Sequence, residues 1–321
     1  MLSRRILRVK VLQALYAFLQ SDNERIDLGE KELFRSLNKL YENYIYQFSF
    51  LSELVEFAGK RIEENKKKFF PTEEDLNPNT RFIDNRFIAQ LNENLDFKRY
   101  AEAYKINWSE EQEMIRKIYV EIRESDDYKD YMSAAKSGYE EDKEILIRIL
   151  KKILAKSEIL HFYFEERSIY WSEDFFTANL LVARTIKTYE ESWDNTHKLP
   201  TIFKVNDSDD PEEDKTFVKL LFRKTIVNSE KYMNLIENKV KNWEMDRIAI
   251  MDTLLIKMAL VELLEFPSIP VKVTLNEYIE LAKLYSTPKS KVFVNGVLDK
   301  LILDLKNEKT LVKTGRGLLD N

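Results

Sequence analysis

Residues 269–300 read IPVKVTLNEYIELAKLYSTPKSKVFVNGVLDK, and their punctuation decides the fold class. Thr274 and Glu277 stand three apart, the spacing of a capping box in which side chains and backbone satisfy each other's donors at a helix start. They predict a helix over 275–285. Thr287 followed by Pro288 reads as a cap plus a proline, whose missing N–H is tolerated in a first turn, and predicts a last helix to about residue 305. Just upstream, Pro267 and Pro270 force an extended connection. Before them, Ile248, Met251, Leu255, Met258 and Leu263 recur at helical steps, predicting a helix that begins at Asp246.

The same period runs through the rest of the chain. Leu33, Leu37, Leu40, Tyr44, Phe48, Leu51, Leu54, Ala58 and Ile62 mark a long amphipathic helix over 30–69, with Gly59 as the one place it could break. Ser109 with Gln112 predicts a capping box ahead of Met114, Ile118 and Ile122. Further helices are expected over 140–164, 173–190 and 217–243, the last as one or two. Between 193 and 211 the pattern lapses, and Asp207, Asp209, Asp210, Glu212, Glu213 and Asp214 read as a solvated loop leading into a helix start, where carboxylates are favoured. After Asn307 the sequence is polar and expected to fray. Six glycines and seven prolines leave little turn chemistry for a sheet. The fold class is therefore all-α.

Composition narrows the chemistry. The 321 residues carry 51 basic and 56 acidic side chains, a net −5, so any polyanion site must be a local patch. There is no cysteine, which removes disulfides, thiolate metal sites and cysteine nucleophiles and suits a reducing, cytoplasmic setting. Only His161 and His197 are present, too few for a multi-histidine metal site, and His161, among Leu160, Phe162 and Phe164, reads as a core or boundary residue. No run approaches the ~18 apolar residues a membrane span needs, and the N-terminus lacks a small-residue cleavage site for a signal peptide. Neither a glycine-rich phosphate loop nor an acid–base pair stands out, so the expectation is a non-enzymatic protein without a cofactor.

Two local patches remain. Arg4, Arg5, Arg8 and Lys10 precede the first acidic residue, Asp22, on a helix otherwise apolar almost all round. Planar guanidiniums on a rigid helix suit phosphates, although a basic start can also serve solubility alone. Tyr16 lies further along on the Arg5 side, placed to stack a base or meet a partner protein. The second patch is Lys289, Ser290 and Lys291 around the start of the last helix, with Phe293 one turn inside, either as a core aromatic or as part of a phosphate-binding helix end. Gly296 in mid-helix costs about 1 kcal/mol against alanine, which predicts close packing there. Finally, a gapless shift of seventy-two positions places Glu141, Asp142 and Lys143 on Glu213, Asp214 and Lys215, Ser157 on Ser229, Trp171 on Trp243 and Asp174 on Asp246. This is read as a duplicated packing unit, and both tryptophans as core.

Together the motifs resemble the NusB family. Arg4-Arg5, Arg8 and Val11-Leu12-Gln13-Ala14-Leu15-Tyr16 are similar to the family's start. Asp246-Arg247, Ala259-Leu260-Val261-Glu262-Leu263, the run from Ile269 through Asn276-Glu277 to Glu280-Leu281-Ala282-Lys283, and Phe293-Val294-Asn295-Gly296-Val297-Leu298-Asp299-Lys300 are similar to its end. The resemblance covers 1–23 and 213–305, and implies a NusB-like helical bundle of the N-terminal helix and C-terminal third, enlarged by an inserted helical region over 24–212, with 306–321 a flexible tail. It further implies a transcription antitermination factor, not an enzyme, that binds boxA-type RNA of nascent ribosomal transcripts together with NusE, a small-subunit ribosomal protein, in the RNA polymerase antitermination complex with other Nus factors and without a membrane. By motif position, Arg4, Arg5 and Arg8 correspond to RNA-contacting arginines and Phe293 to an RNA-proximal aromatic. Tyr16 and Asp252 correspond to partner-binding residues, Asp252 being expected on the surface. Lys10, Lys289 and Lys291 extend the basic set, and Lys289 departs from the family by standing where an acidic side chain is familiar. Two other readings stay open: a helical interaction scaffold that has lost its RNA face, and a NusB-like module of an RNA methyltransferase, the latter disfavoured by the missing cysteines and glycine loop.

Overall fold

A computed structural model describes residues 2–21, 25–203, 212–240 and 248–319. Trp243, Asp246, Arg247, Asp207, Asp209 and Asp210 lie outside the described residues. The described chain contains helices and no strand. In order they are α1 (Arg4–Gln20), α2 (Ile26–Lys66), α3 (Glu73–Leu76), α4 (Arg86–Glu93), α5 (Leu95–Ala103), α6 (Gln112–Glu124), α7 (Asp126–Ser133), α8 (Tyr139–Lys152), α9 (Glu158–Arg167), α10 (Trp171–Thr188), α11 (Glu212–Val227), α12 (Ser229–Lys239), α13 (Ile250–Glu265), α14 (Val271–Tyr285) and α15 (Ser290–Asn307). Among the described residues no helix is long and apolar enough to cross a membrane. Two compact units result, one of Met1–Ser36 with Phe203–Asn321 and one of Leu37–Ile202.

In the first unit α13 is the central rod. Every residue over 254–263 is buried except Lys257, because this helix is apolar on all sides and must be surrounded. It packs against α1, α11, α12, α14 and α15. Leu7, Val11 and Leu15 of α1 and Phe217, Leu221 and Phe222 of α11 complete the core. The start of α2 approaches closely: a Cβ added at Gly29 would lie 2.7 Å from Phe18 and 2.8 Å from Phe222, whose rings meet edge to face at 5.9 Å.

In the second unit the core is aromatic. Phe48, Phe87, Phe164, Trp171 and Phe175 are buried, and Trp171 lies 4.9 Å from Tyr46 while its ring N–H donates to the Lys39 carbonyl. His161 is a boundary residue, as expected, with its ring against Phe175 and Phe176.

Several boundaries differ from the sequence reading. α2 runs through Gly59 unbroken, since a glycine costs a helix only about 1 kcal/mol. The single helix expected over 140–164 divides into α8 and α9 at a 3₁₀ turn, Leu154–Lys156, after which Ser157 caps α9 by accepting from the Leu160 N–H. Ser109 forms no capping box, because its backbone N–H donates to Asn107 and α6 begins only at Gln112. α14 starts a turn earlier than expected, at Val271 behind Pro270, whose fixed φ already suits a helix entry. That places Thr274 inside the helix, where its hydroxyl turns to another partner. α15, by contrast, starts later than expected, at Ser290, with Thr287 and Pro288 in the preceding turn. Among the described residues after Asn307, the Thr314 N–H donates to the Pro267 carbonyl at 3.0 Å and Lys313 Nζ to that of Phe266 at 3.2 Å.

The two positions related by the seventy-two-residue shift that bear a buried acid, Asp142 and Asp214, behave alike. Each receives a hydrogen bond from the arginine that opens a neighbouring helix of its own unit: Asp142 from the Arg86 backbone N–H at 3.0 Å, Asp214 from Arg4 Nε at 3.0 Å. Each lies in the first turn of the leading helix of a pair, α8–α9 with Ser157 capping the second helix and α11–α12 with Ser229 as the first residue of the second.

The close approach at Gly29 is testable by thermal melting. Gly29→Ala gains helix propensity but must displace Phe18 or Phe222, and overpacking of ~1–3 kcal/mol outweighs the gain. Its Tm should fall, whereas Gly59→Ala, with nothing nearer than Ile83 at 3.9 Å, should melt at or above the parent. A rise for Gly29→Ala would show that the α1–α2–α11 contact is loose.

Candidate nucleic-acid interface

The arginine patch is built in the first unit where α1, α11, α13 and α14 converge. Ser3 caps α1 by accepting from the Ile6 N–H, and the first two turns then project three guanidiniums toward four carboxylates. Arg4 donates to Asp214 at 3.0 Å and Glu213 at 3.1 Å, and lies 4.4 Å above the Phe217 ring. Arg5 makes a two-pronged pair with Glu277, at 2.9 and 2.7 Å. Arg8 makes another with Glu262, both contacts at 2.7 Å, and its third nitrogen reaches Glu277 at 3.5 Å. Glu262 also accepts from Thr274 at 2.9 Å and Tyr278 at 3.3 Å.

Burial separates these arginines by role. The Arg8 and Glu262 side chains are 3% and 0% exposed, whereas that of Arg5 is 50% exposed. Arg8 therefore presents no charge to solvent, contrary to its expected place among the contacting arginines. An apolar helix can bury a guanidinium only against a matched carboxylate, and Arg8 has one. Lys10 is also buried, at 3%. Burial opposes the Arg8 charge, but the Glu262 hydrogen bonds hold its pKa above the ordinary value. The hydrogen bonds from Arg5, supported by the Arg8 charge, hold the Glu277 carboxyl below the usual glutamate range although partial burial works the other way. Burial and the adjacent Glu262 push the Tyr278 hydroxyl well up.

The second patch follows the opposite end of α14. Lys289 and Lys291 are exposed and Phe293 is half-buried. Glu277, the anchor of Arg5, stands eight residues before the end of α14, about 12 Å along the helix axis. Arg5 is thus anchored at the middle of α14, whereas the second patch follows the C-terminal end of that helix. Gly296 is open, with nothing within 4 Å of an added Cβ, so no close packing explains it. Tyr16 is 40% exposed. Asp252 is not on the surface: it is 5% exposed and accepts from Ser286 at 2.6 Å and Ser290 at 2.8 Å. It ties α13 to the α14–α15 turn, and Ser290 in turn accepts from the Thr287 N–H.

A cleft of about 680 Å³ opens beside Arg5, walled by Leu2, Ile269, Pro270, Val273, Glu277 and Arg316 among others. Among the described residues no group of three or more histidines and carboxylates could hold a metal ion. The residues that sequence reasoning missed are the acids: Glu262, Glu277 as a salt-bridge anchor, and Asp214. Glu262 had a signal, being a lone carboxylate in the run Met258-Ala259-Leu260-Val261-Glu262-Leu263-Leu264. Arg8 is its counterpart, the one arginine of α1 set between Leu7 and Val9 on the buried side of the helix, and a lone carboxylate in an apolar run invites such a cation.

An all-helical bundle whose first helix is pinned by arginine–carboxylate pairs is the class these features define, and comparison with known proteins gives it a family. The NusB family profile matches residues 177–303, from within α10 through most of α15. The transcription antitermination protein NusB of Salinibacter ruber is 42% identical over 139 residues, 43% of this chain and 86% of that protein. That of Chloroherpeton thalassium is 42% identical over 106 residues, 33% of this chain and 50% of its own length. That of Bacillus pumilus is 38% identical over 100 residues, 31% and 76% respectively. No solved structure matches the chain. The chain belongs to the NusB family.

Two expectations check the site. Arg8→Ala leaves Glu262 buried without its cation and should cost ~3–5 kcal/mol in denaturant unfolding, while Arg5→Ala, at a half-exposed pair, should cost under about 1 kcal/mol; comparable losses would refute the division. Glu277, with its pKa depressed on folding, contributes stability that is present above the unfolded glutamate value of about 4.3 and lost as pH falls through the lower folded value. The stability difference between the parent and Glu277→Gln should therefore shrink in urea melts below about pH 4.3; a difference constant with pH would count against the pair.

Proposed function

We propose that this chain is a transcription antitermination factor that holds boxA-type RNA of nascent transcripts together with NusE, acting in the cytoplasm within the RNA polymerase antitermination complex and without catalysing a reaction. Membership of a family whose similar proteins are named for transcription antitermination supports the antitermination part of the reading. The observation that carries the RNA part is the set of surface cations in the first unit: Arg5, held in one orientation by Glu277, and Lys289 and Lys291 at the start of α15. Phe293 supplies an adjacent aromatic edge and Arg4 flanks the set. Arg8 and Lys10 act beneath it, fixing α1. Tyr16 is the surface residue left for NusE, and Asp252 shapes the α14–α15 turn from inside.

We further propose that residues 24–212 are an insertion into a bundle formed by 1–23 and 213–305, and that α8–α9 arose with α11–α12 by duplication. The matched roles of Asp142 and Asp214 support this.

A second reading has its own observation. Three arginines, Arg4, Arg5 and Arg8, face four carboxylates, Glu213, Asp214, Glu262 and Glu277, which more than balances their charge and suits a protein scaffold without RNA binding. Filter binding of a boxA RNA across a salt series, with and without NusE, decides between them. Each phosphate neutralised on a single strand contributes about 0.7 to the salt slope, so Arg5→Ala with Lys289→Ala and Lys291→Ala should lower the slope by about two and weaken binding at least tenfold. An unchanged slope, or no binding by the parent with NusE present, favours the scaffold.

A further inference from the structure

The C-terminal end of α2 carries a feature that the bundle does not use. Residues 65–71 read Asn-Lys-Lys-Lys-Phe-Phe-Pro. Phe69 and Phe70 are 90% and 82% exposed, although large aromatics bury themselves wherever a core is within reach. They touch each other, ring centroids 4.7 Å apart and nearly perpendicular. The turn that presents them is built. α2 has already ended at Lys66, and Pro71 disfavours helical backbone at Phe70. Thr72 and Asp75 cap α3 reciprocally, at 3.1 and 3.0 Å. Lys68 Nζ reaches back to Asp75 at 3.2 Å, closing the loop. Lys66, Lys67 and Lys68 are all exposed, with Lys66 resting on Glu63 at 2.7 Å, a surface pair that a phosphate can displace.

We propose that this tip is a contact for single-stranded nucleic acid, separate from the cations of the first unit. Bases stack on open aromatic rings irrespective of sequence, and lysines beside them neutralise the backbone, which is the recurrent pairing in single-strand recognition. The perpendicular arrangement of the rings offers two stacking faces to successive unstacked bases rather than one continuous platform. The charge pattern selects a strand over an anionic membrane. Glu73 and Glu74 are exposed immediately beyond the aromatics, so a flat anionic lipid surface meeting the phenylalanines would press on these carboxylates as well.

The test uses the full chain and a fluorescein-labelled twelve-nucleotide oligouridylate, titrated at several salt concentrations in a background carrying Arg5→Ala, Lys289→Ala and Lys291→Ala. That background removes the three principal surface cations of the first-unit face, and the part of its residual binding lost on tip substitution reports the tip. Adding Phe69→Ala and Phe70→Ala should weaken this binding about tenfold with little change in salt slope. Lys66→Gln, Lys67→Gln and Lys68→Gln should instead lower the slope by about two. All substituted tip residues are exposed, so the melting temperature should not move, and Phe69→Trp should bind as the parent with its fluorescence quenched on titration. Loss of all binding in the background, or alanine variants that bind like it, would overturn the tip while leaving the first-unit face intact. Sedimentation with phosphatidylserine vesicles through Phe69 and Phe70, without oligonucleotide binding, would overturn it in favour of a membrane.

Discussion

The buried pair of Arg8 and Glu262 is the interaction on which the first unit depends. Desolvating both ions is unfavourable by several kcal/mol each in an apolar interior, and only close, multiply bonded geometry offsets it. Here the geometry is supplied from three helices: Arg8 from α1, Glu262 from α13, and Thr274 with Tyr278 from α14. An apolar contact would tolerate a sliding or rotated α1, because dispersion and burial are non-directional. A two-pronged ion pair does not. It specifies the rotation and height of α1 against α13, and so aims Arg4 and Arg5 to either side.

The same arrangement explains why the arginines were hard to read. Their type and spacing mark them as cations on one helix, which is correct, but spacing along a helix says nothing about which carboxylate stands opposite. Those acids come from 209, 272 and 254 residues away in the sequence. Asp252 shows the converse error. A carboxylate beside Thr253 at a helix start looks solvated, and only the tertiary placement of Ser286 and Ser290 reveals that it is enclosed. The class of fold was legible throughout, because the 3.6-residue period of α2, α10, α13 and α15 survives any tertiary context. Helix starts were less so. Thr274 and Ser109 carry capping chemistry, yet Pro270 and Asn107 just before them take over the local turn, so the side chains are released to other work.

The second unit follows a different logic. Its core is aromatic and its buried polar anchors also join distant stretches of chain, as from Tyr44 to Thr185 and from Trp171 to Lys39, and it repeats on a small scale a device of the first unit: a buried aspartate near the start of one helix that receives the arginine opening another. In Asp142 the bond is to a backbone N–H, and in Asp214 it is to a guanidinium. The buried acid is common to both; the donor it holds is not. That is the pattern expected when packing geometry persists and surface chemistry drifts.

The separation of Arg8 from Glu262 also has a meaning in time. The two are 254 residues apart, and a ribosome adding about 5–20 residues per second needs roughly 13–50 seconds to make the second after the first. Throughout that interval Arg8, like Arg4 and Arg5, awaits its carboxylate, while every residue of the second unit emerges and is free to fold on its own contacts. The unit that begins first is thus completed last, and its N-terminal segment must be kept from aggregation until α13 arrives to neutralise it.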